Sequence, residues 1–251
     1  MDKAQNETFR QTLTTATTQV GVPLSPEQLD ACARYVDLLL ATNQHVNLTR
    51  IVEPAEVAVK HFADSLTLFR ALPDLPENAT LADVGTGAGF PGLVVKIARP
   101  DLRVTLLDAT AKRLTFLRDV AEALDLRGVS LVHARAEDAG RDPKYRDRFD
   151  LVTARAVAAL PTLLEWCGPL VRVGGQFVAM KGANITEERI GENHAAALLG
   201  LVPTSDVALA LPTVPGENEP AQRRLLVYEK RKPTPTPYPR RPSEIKAKPL
   251  G

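Results

Sequence analysis

The chain has 251 residues, 44% of them apolar, with 31 Lys and Arg against 30 Asp and Glu. That length allows one full domain with an appendage and needs no staple to fold; two cysteines, Cys32 and Cys167, are too few for a disulfide framework or a cysteine zinc site. No run reaches the roughly 18 apolar residues of a membrane span, and the opening MDKAQNETFR lacks the apolar core of a secretory leader, so a cytoplasmic protein with no membrane partner and no metal is expected.

Residues 1–78 read as a helical part. Phe9, Leu13, Ala16 and Val20 recur at helical spacing and stop at Gly21-Val22-Pro23. Ser25-Pro26-Glu27-Gln28 is a helix start, with Ser25 as N-cap and Gln28 completing a capping box. Leu29, Ala33, Val36 and Leu40 then share a face until about Asn43. After the polar segment NQHVNLTRI, a third helix is expected from Pro54, with Val57, His61 or Phe62, Leu66 and Phe69 on one side.

From Thr80 the period changes, and 79–230 reads as a second unit. TLADV, RVTLLD, VSLVHA, FDLVTA and QFVAMKG are strand-like runs. PGLVVKIA, AKRLTFLRDVAEAL and PTLLEWCGPLVRV are helical stretches set among them. This alternation marks an α/β fold built on a doubly wound, Rossmann-like sheet that is mostly parallel. DVALAL and RLLVYEK, joined by a Pro/Gly-rich loop, suggest an antiparallel strand pair closing it.

Residues 231–251 form a third section. From Lys230 to the end there are seven Lys and Arg, one acid and six prolines, while the preceding chain is net acidic. Such a tail is expected to be extended and unpacked. It reads either as a solubilising end or as a strap for nucleic-acid phosphates.

The strongest chemical signal is Asp83-Val84-Gly85-Thr86-Gly87-Ala88-Gly89-Phe90-Pro91-Gly92, directly after the first strand. Gly87, Gly89 and Gly92 fit a dinucleotide fingerprint, whereas Asp83 with Gly85, Gly87 and Gly89 fits an S-adenosylmethionine loop. A diphosphate would sit on N–H donors at the helix start. Pro91 removes one donor and Asp83 adds negative charge, which suits a cationic ligand better. Asp108 ends the second strand, 23 residues after Gly85, where an acid can accept both ribose hydroxyls. Ala134-Arg135-Ala136-Glu137-Asp138 ends the third strand, at a natural place for adenine contacts.

DVGTGAGFPG, ARAED, FDLVTARAV, NLTRI, HFADSL and the ending YPRRPSEIKAKPL together resemble the bacterial small-subunit rRNA guanine-N7 methyltransferases, RsmG or GidB, from about residue 25 onward. The resemblance implies a class I S-adenosylmethionine-dependent methyltransferase fold with an N-terminal helical extension. It implies methyl transfer to N7 of one guanine in the 530 loop of 16S rRNA, naked or within the small subunit, with no obligate protein partner. Position by position it places cofactor contacts at Gly85, Phe90, Asp108, Ala109, Thr110, Ala136, Glu137 and Arg155.

The turn after the fourth strand reads Thr153-Ala154-Arg155-Ala156-Val157, not the Asn/Asp-Pro-Pro-aromatic turn of exocyclic-amine methyltransferases. Cys167 lies in a helical stretch and reads as core rather than as a nucleophile. Guanine N7 carries a lone pair and no proton, so a site without a general base suits it. No catalytic residue is certain; Asn47, Arg50, His61, Asp64 and Arg155 are candidates for the target guanine or rRNA. Asn47 or Thr49 can equally be a helix cap, and His61 with Asp64 a structural pair. His45 reads as a solvent-facing or capping residue, and His133 and His194 receive no role. Alternatives are a ribose 2′-O enzyme using Lys181, a small-molecule methyltransferase, or a nucleotide-binding module without turnover.

Overall fold

Asp2 and Ser25 begin the first two helices in the same way. Each side chain accepts the backbone N–H three residues on, and Gln5 and Gln28 reach back to the cap N–H. The computed structural model describes residues 1–155 and 157–250. In it α1 spans Lys3–Gln19 and α2 spans Pro26–Val46. Thus Asn43 to Val46, expected in the polar connection, extend α2 by another turn. Asn47 then ends α2 in the left-handed region, at φ 51°.

The third helix departs from regular spacing. α3 (Pro54–Val57) runs into a π-helical turn, Ala58–Ala63, followed by α4 (Asp64–Leu66) and α5 (Leu68–Ala71). The Asp64 N–H reaches the Val59 carbonyl, five residues back. The wider turn puts Val57, His61, Phe62 and Leu66 all inside, instead of forcing a choice between His61 and Phe62.

The rest of the chain alternates as its periodicity requires. In order come β1 (Thr80–Val84), α6 (Gly92–Ala98), β2 (Arg103–Asp108), α7 (Ala111–Ala123), β3 (Val129–His133) and α8 (Ala136–Arg141). Then follow β4 (Phe149–Arg155), α9 (Leu160–Cys167), β5 (Val171–Gly182), α10 (Glu192–Leu198), β6 (Leu201–Ala210), β7 (Gln222–Lys230) and α11 (Pro242–Ala247). The sheet order is β3-β2-β1-β4-β5-β7-β6; β1 to β5 are parallel, and β7 is antiparallel to both β5 and β6. Strand order reverses beside β1, which opens a crevice at the carboxyl ends of β1 and β4.

Each strand feeds two cores. Leu81, Leu106, Leu151, Val178 and Leu225 pack with α6, α7 and the N-terminal helices. Their neighbours Ala82, Leu107, Val152, Phe177 and Leu226 pack with α8, α9 and α10. The N-terminal helices therefore complete one face of the sheet and share its core.

Four elements differ from the periodicity. The helical stretch expected through Val173 stops at Cys167. β5 begins at Val171 and shifts register against β4 where Gly174 takes φ 80°; Gly175 beside it passes too close to the Asp150 and Phe149 carbonyls for a Cβ (2.8 and 2.9 Å). The short α8 and α10 carry no clean period of their own.

The tail is packed, contrary to expectation. Arg240 makes a two-pronged ion pair with the fully buried Glu165, α11 buries Ile245, and Leu250 joins the core beside α8 and α9. Proline limits regular structure to the short α11 but does not prevent docking, and arginines at the end of α8 and beyond it satisfy several of the tail's carbonyls. Arg146 donates to those of Thr234 and Tyr238 (2.6 and 2.8 Å), and Arg141 to that of Pro239 (2.9 Å). Two positions of the sequence reading, Ala156 and the terminal Gly251, lie outside the described residues.

Candidate active site

The loop after β1 turns on three glycines with positive φ: Gly85 (71°), Gly87 (60°) and Gly89 (96°). Gly89 also has no room for a side chain, since a Cβ would meet the Tyr35 hydroxyl and Leu117 (2.8 Å). Asp83 braces the loop from below. Its Oδ2 accepts the Thr86 hydroxyl (2.6 Å) and the Gly92 N–H (2.9 Å), while Oδ1 is buried without a partner. Burial pushes the Asp83 carboxyl up to about 6. Asp83 and Gly89 are thus supports beneath the loop, not lining groups as the motif alone suggested.

A cavity of about 200 Å³ lies on one side of Gly85. Its walls are Asp108, Ala109 and Thr110 after β2, Ala136 and Glu137 opening α8, and Val157 and Trp166. Asp108 is 3% exposed; its Oδ2 accepts the Gly87 N–H (3.0 Å) and its Oδ1 the Thr110 N–H (2.8 Å). Glu137 is buried and makes no side-chain hydrogen bond to a described residue.

A larger cleft of about 450 Å³ opens on the other side, sharing Gly85 with the first. Gly87, Phe90, His61, Asp64, Arg155 and Lys181 line it. Phe90 is stacked between Tyr35 (ring centroids 5.4 Å apart) and His61 (4.5 Å), and Arg155 lies over its ring at 5.4 Å.

Arg155 organises the polar wall. Its Nη1 donates to Asp64 Oδ2 (3.0 Å) and the Lys60 carbonyl (2.9 Å), and its Nη2 meets His61 Nδ1 at 3.3 Å. Arg223 of β7 holds the other Asp64 oxygen at 3.0 Å. Only a ring that accepts at Nδ1 can take the Arg155 proton, so His61 carries its hydrogen on Nε2 and donates to Thr49 Oγ1 at 2.8 Å. Burial, then the Arg155 cation, pushes His61 down to about 3. It is a neutral ring with both nitrogens engaged.

The candidate target contacts therefore divide. His61, Asp64 and Arg155 line the cleft together, but His61 and Asp64 are joined through Arg155 rather than paired directly. Asn47 and Arg50 are exposed and line neither cavity; Asn47 is the C-terminal cap of α2. Thr49 is not a cap. It orients His61, and Asn43 clamps its backbone at both N–H and carbonyl (2.9 Å each). Lys181 pairs with Glu188 and donates to the Ala158 carbonyl (2.7 Å). Cys167 is core, and burial drives its thiol well up. Sequence reasoning missed Asn43, Arg223 and Trp166; only the position of Arg223 on a strand beside the cleft could have signalled it, and that needs the sheet order.

The profile of the family described as rRNA small subunit methyltransferase G matches residues 28–212. The chain belongs to that family. Curated proteins named ribosomal RNA small subunit methyltransferase G are similar over nearly the whole chain. That of Leuconostoc mesenteroides is 44% identical, covering 98% of this chain and 99% of its own. That of Limosilactobacillus reuteri is 47% identical, covering 92% and 94%. Among solved structures, a putative methyltransferase from Bacillus halodurans has a TM-score of 0.50 at 16% identity, over 68% of this chain and 100% of its own. M. jannaschii TYW2 in complex with AdoMet also reaches 0.50, at 14% identity, over 66% and 76%. These likenesses show the class I methyltransferase fold, and the family makes the chain an rRNA methyltransferase. Among the described residues no helix is long and apolar enough to cross a membrane.

Proposed function

We propose that the chain transfers a methyl group from S-adenosylmethionine to N7 of one guanine in the 530 loop of 16S rRNA, in the cytoplasm. The observation that carries this reading is the pair of cavities meeting at Gly85, with every basic ring nitrogen of the larger one already engaged.

The residues fit the cofactor. Asp108 and Glu137, the latter without a side-chain hydrogen bond among the described residues, offer carboxylate oxygens to ribose hydroxyls, and Ala136 and Trp166 offer an apolar wall to adenine. Gly85, Gly87 and Phe90 form the passage towards the larger cleft, where a Cβ at Gly87 would have only one neighbour, 3.9 Å away. The cofactor supplies an electrophilic methyl on a sulfonium. The chain's own groups place the purine, exclude water and carry no proton away, because N7 has none to lose. His61 and Phe90 present stacked ring edges at the cleft wall, and Asp64, shared between Arg155 and Arg223, offsets part of the positive charge that would oppose charge growing on the purine. A paired guanine is too deep to reach, so the target leaves its stack on binding.

The test is a methyl-acceptor screen. Purified protein with labelled S-adenosylmethionine and total RNA should label 16S rRNA. Labelling of another RNA class, or of small molecules alone, would contradict the reading. A 2′-O-methylated product would point to Lys181 instead.

A further inference from the structure

The docked tail bears on the two helices that wall the smaller cavity. We infer that residues 231–250 clamp the adenosine end of the cofactor site, with Arg240 as the positioning residue, so that the Arg240–Glu165 contact sets cofactor affinity rather than RNA affinity. The inference rests on the S-adenosylmethionine reading of that cavity.

α8 is only six residues long, yet its first two, Ala136 and Glu137, form cavity wall. Its far end is held by the tail. A Cβ on Gly140 would meet Pro239 at 3.0 Å, and the Arg141 side chain bonds the Pro239 carbonyl. Arg146, just beyond α8, ties the Gly140 carbonyl (2.8 Å) to those of Thr234 and Tyr238.

α9 carries the opposite wall residue, Trp166, directly after Glu165. Glu165 is fully buried, and Arg240 satisfies both its oxygens: the Arg240 N–H and Nε donate to Oε1 (2.8 and 2.9 Å) and Nη2 to Oε2 (2.7 Å). Where the tail begins, the buried Lys230 donates to the Gly168 carbonyl just past α9 (2.5 Å) and to Thr234 Oγ1 (2.6 Å). One strap therefore crosses from α9 to α8 and fixes their separation. With Arg240 committed inward, the tail's most deeply placed cation is not offered to phosphate.

Removing Arg240 would strand a buried carboxylate. The rotation or hydration that relieves it would move Trp166, its chain neighbour. Calorimetric titration of S-adenosylmethionine into folded wild type, Arg240→Ala and Arg240→Lys should show at least fivefold weaker binding in Arg240→Ala and partial recovery in Arg240→Lys. In steady state the loss should fall on KM for the cofactor, with KM for rRNA within twofold of wild type. Should Arg240→Ala fail to fold, the double variant Glu165→Gln/Arg240→Gln leaves no stranded charge but also no ionic tie between the tail and α9, and the loosened clamp should still weaken cofactor binding at least fivefold. A folded Arg240→Ala or Glu165→Gln/Arg240→Gln protein that binds cofactor within twofold of wild type overturns the inference. So does one whose KM for rRNA alone rises, which would make the tail a phosphate strap. Wild type that takes up no cofactor would fail the reading beneath it, a distinct result.

Discussion

His61 is the side chain that a search for a general base would choose first, and its surroundings remove it from that role. Both nitrogens are bonded, and burial beside Arg155 keeps the ring neutral down to about pH 3. The single-turnover rate at saturating rRNA should therefore be nearly flat across roughly pH 6.5–9, the upper side of an ordinary histidine titration. A tenfold rise per pH unit, lost in His61→Gln, would show base catalysis. The same group has a stability signature. The folded chain binds fewer protons than the unfolded one between about pH 3 and 6.5, so stability rises with pH through that window and is lost on acidification. His61→Gln should lose less than wild type between pH 7 and pH 5, measured by urea unfolding; a larger loss would contradict the neutral ring. Asp83 runs oppositely: with its carboxyl raised to about 6, it costs stability as pH climbs from about 4 to 6. Asp108 acts on the ligand and on the loop at once, because it already holds the Gly87 and Thr110 N–H groups. Charge-assisted hydrogen bonds are worth about 1.5–3 kcal/mol each. Asp108→Ala should weaken cofactor binding at least tenfold in a folded protein, and an unchanged calorimetric affinity would exclude it from the site.

At the scale of elements, the glycine loop depends on a neighbour from another layer. Tyr35 of α2 stacks on Phe90, donates its hydroxyl to the Ala88 carbonyl, and closes the space over Gly89. Tyr35→Phe leaves that carbonyl unsatisfied and should cost about 1–3 kcal/mol in urea unfolding. Gly89→Ala adds a side chain at φ 96° against Tyr35 and should cost ~2 kcal/mol or more. A neutral result in either would detach α2 from the loop. The glycine loop, the acid at the end of β2 and the strand alternation were legible because each is local: φ > 0 favours Gly, and a buried strand favours an apolar run. The π-helical turn was not legible, since one inserted residue blurs a 3.6-residue period. Nor was the partition of labour among DVGTGAGFPG. Gly85 and Gly87 face the cavities while Asp83 and Gly89 face inward, and that depends on packing against Tyr35 and Leu117.

Across the whole molecule, the two cores divide the work. The core shared with the N-terminal helices carries the Tyr35–Phe90–His61 stack and the larger cleft, and the core beside α8 and α9 carries the smaller cavity and the docked tail. The tail was misread from composition because proline density and charge describe an isolated segment. Arg240 meeting Glu165 joins positions 75 residues apart, and no local pattern announces it. Arg223 escaped for the same reason, reaching Asp64 from a strand 159 residues away. The account as a whole stands on N7 as the methyl acceptor. The most direct measurement is reduction and aniline cleavage of 16S rRNA after incubation with protein and S-adenosylmethionine, a chemistry that breaks the chain only at N7-methylated guanine. One cofactor-dependent break within the 530 loop is the expected result. Incorporated methyl that gives no cleavage there would contradict the account.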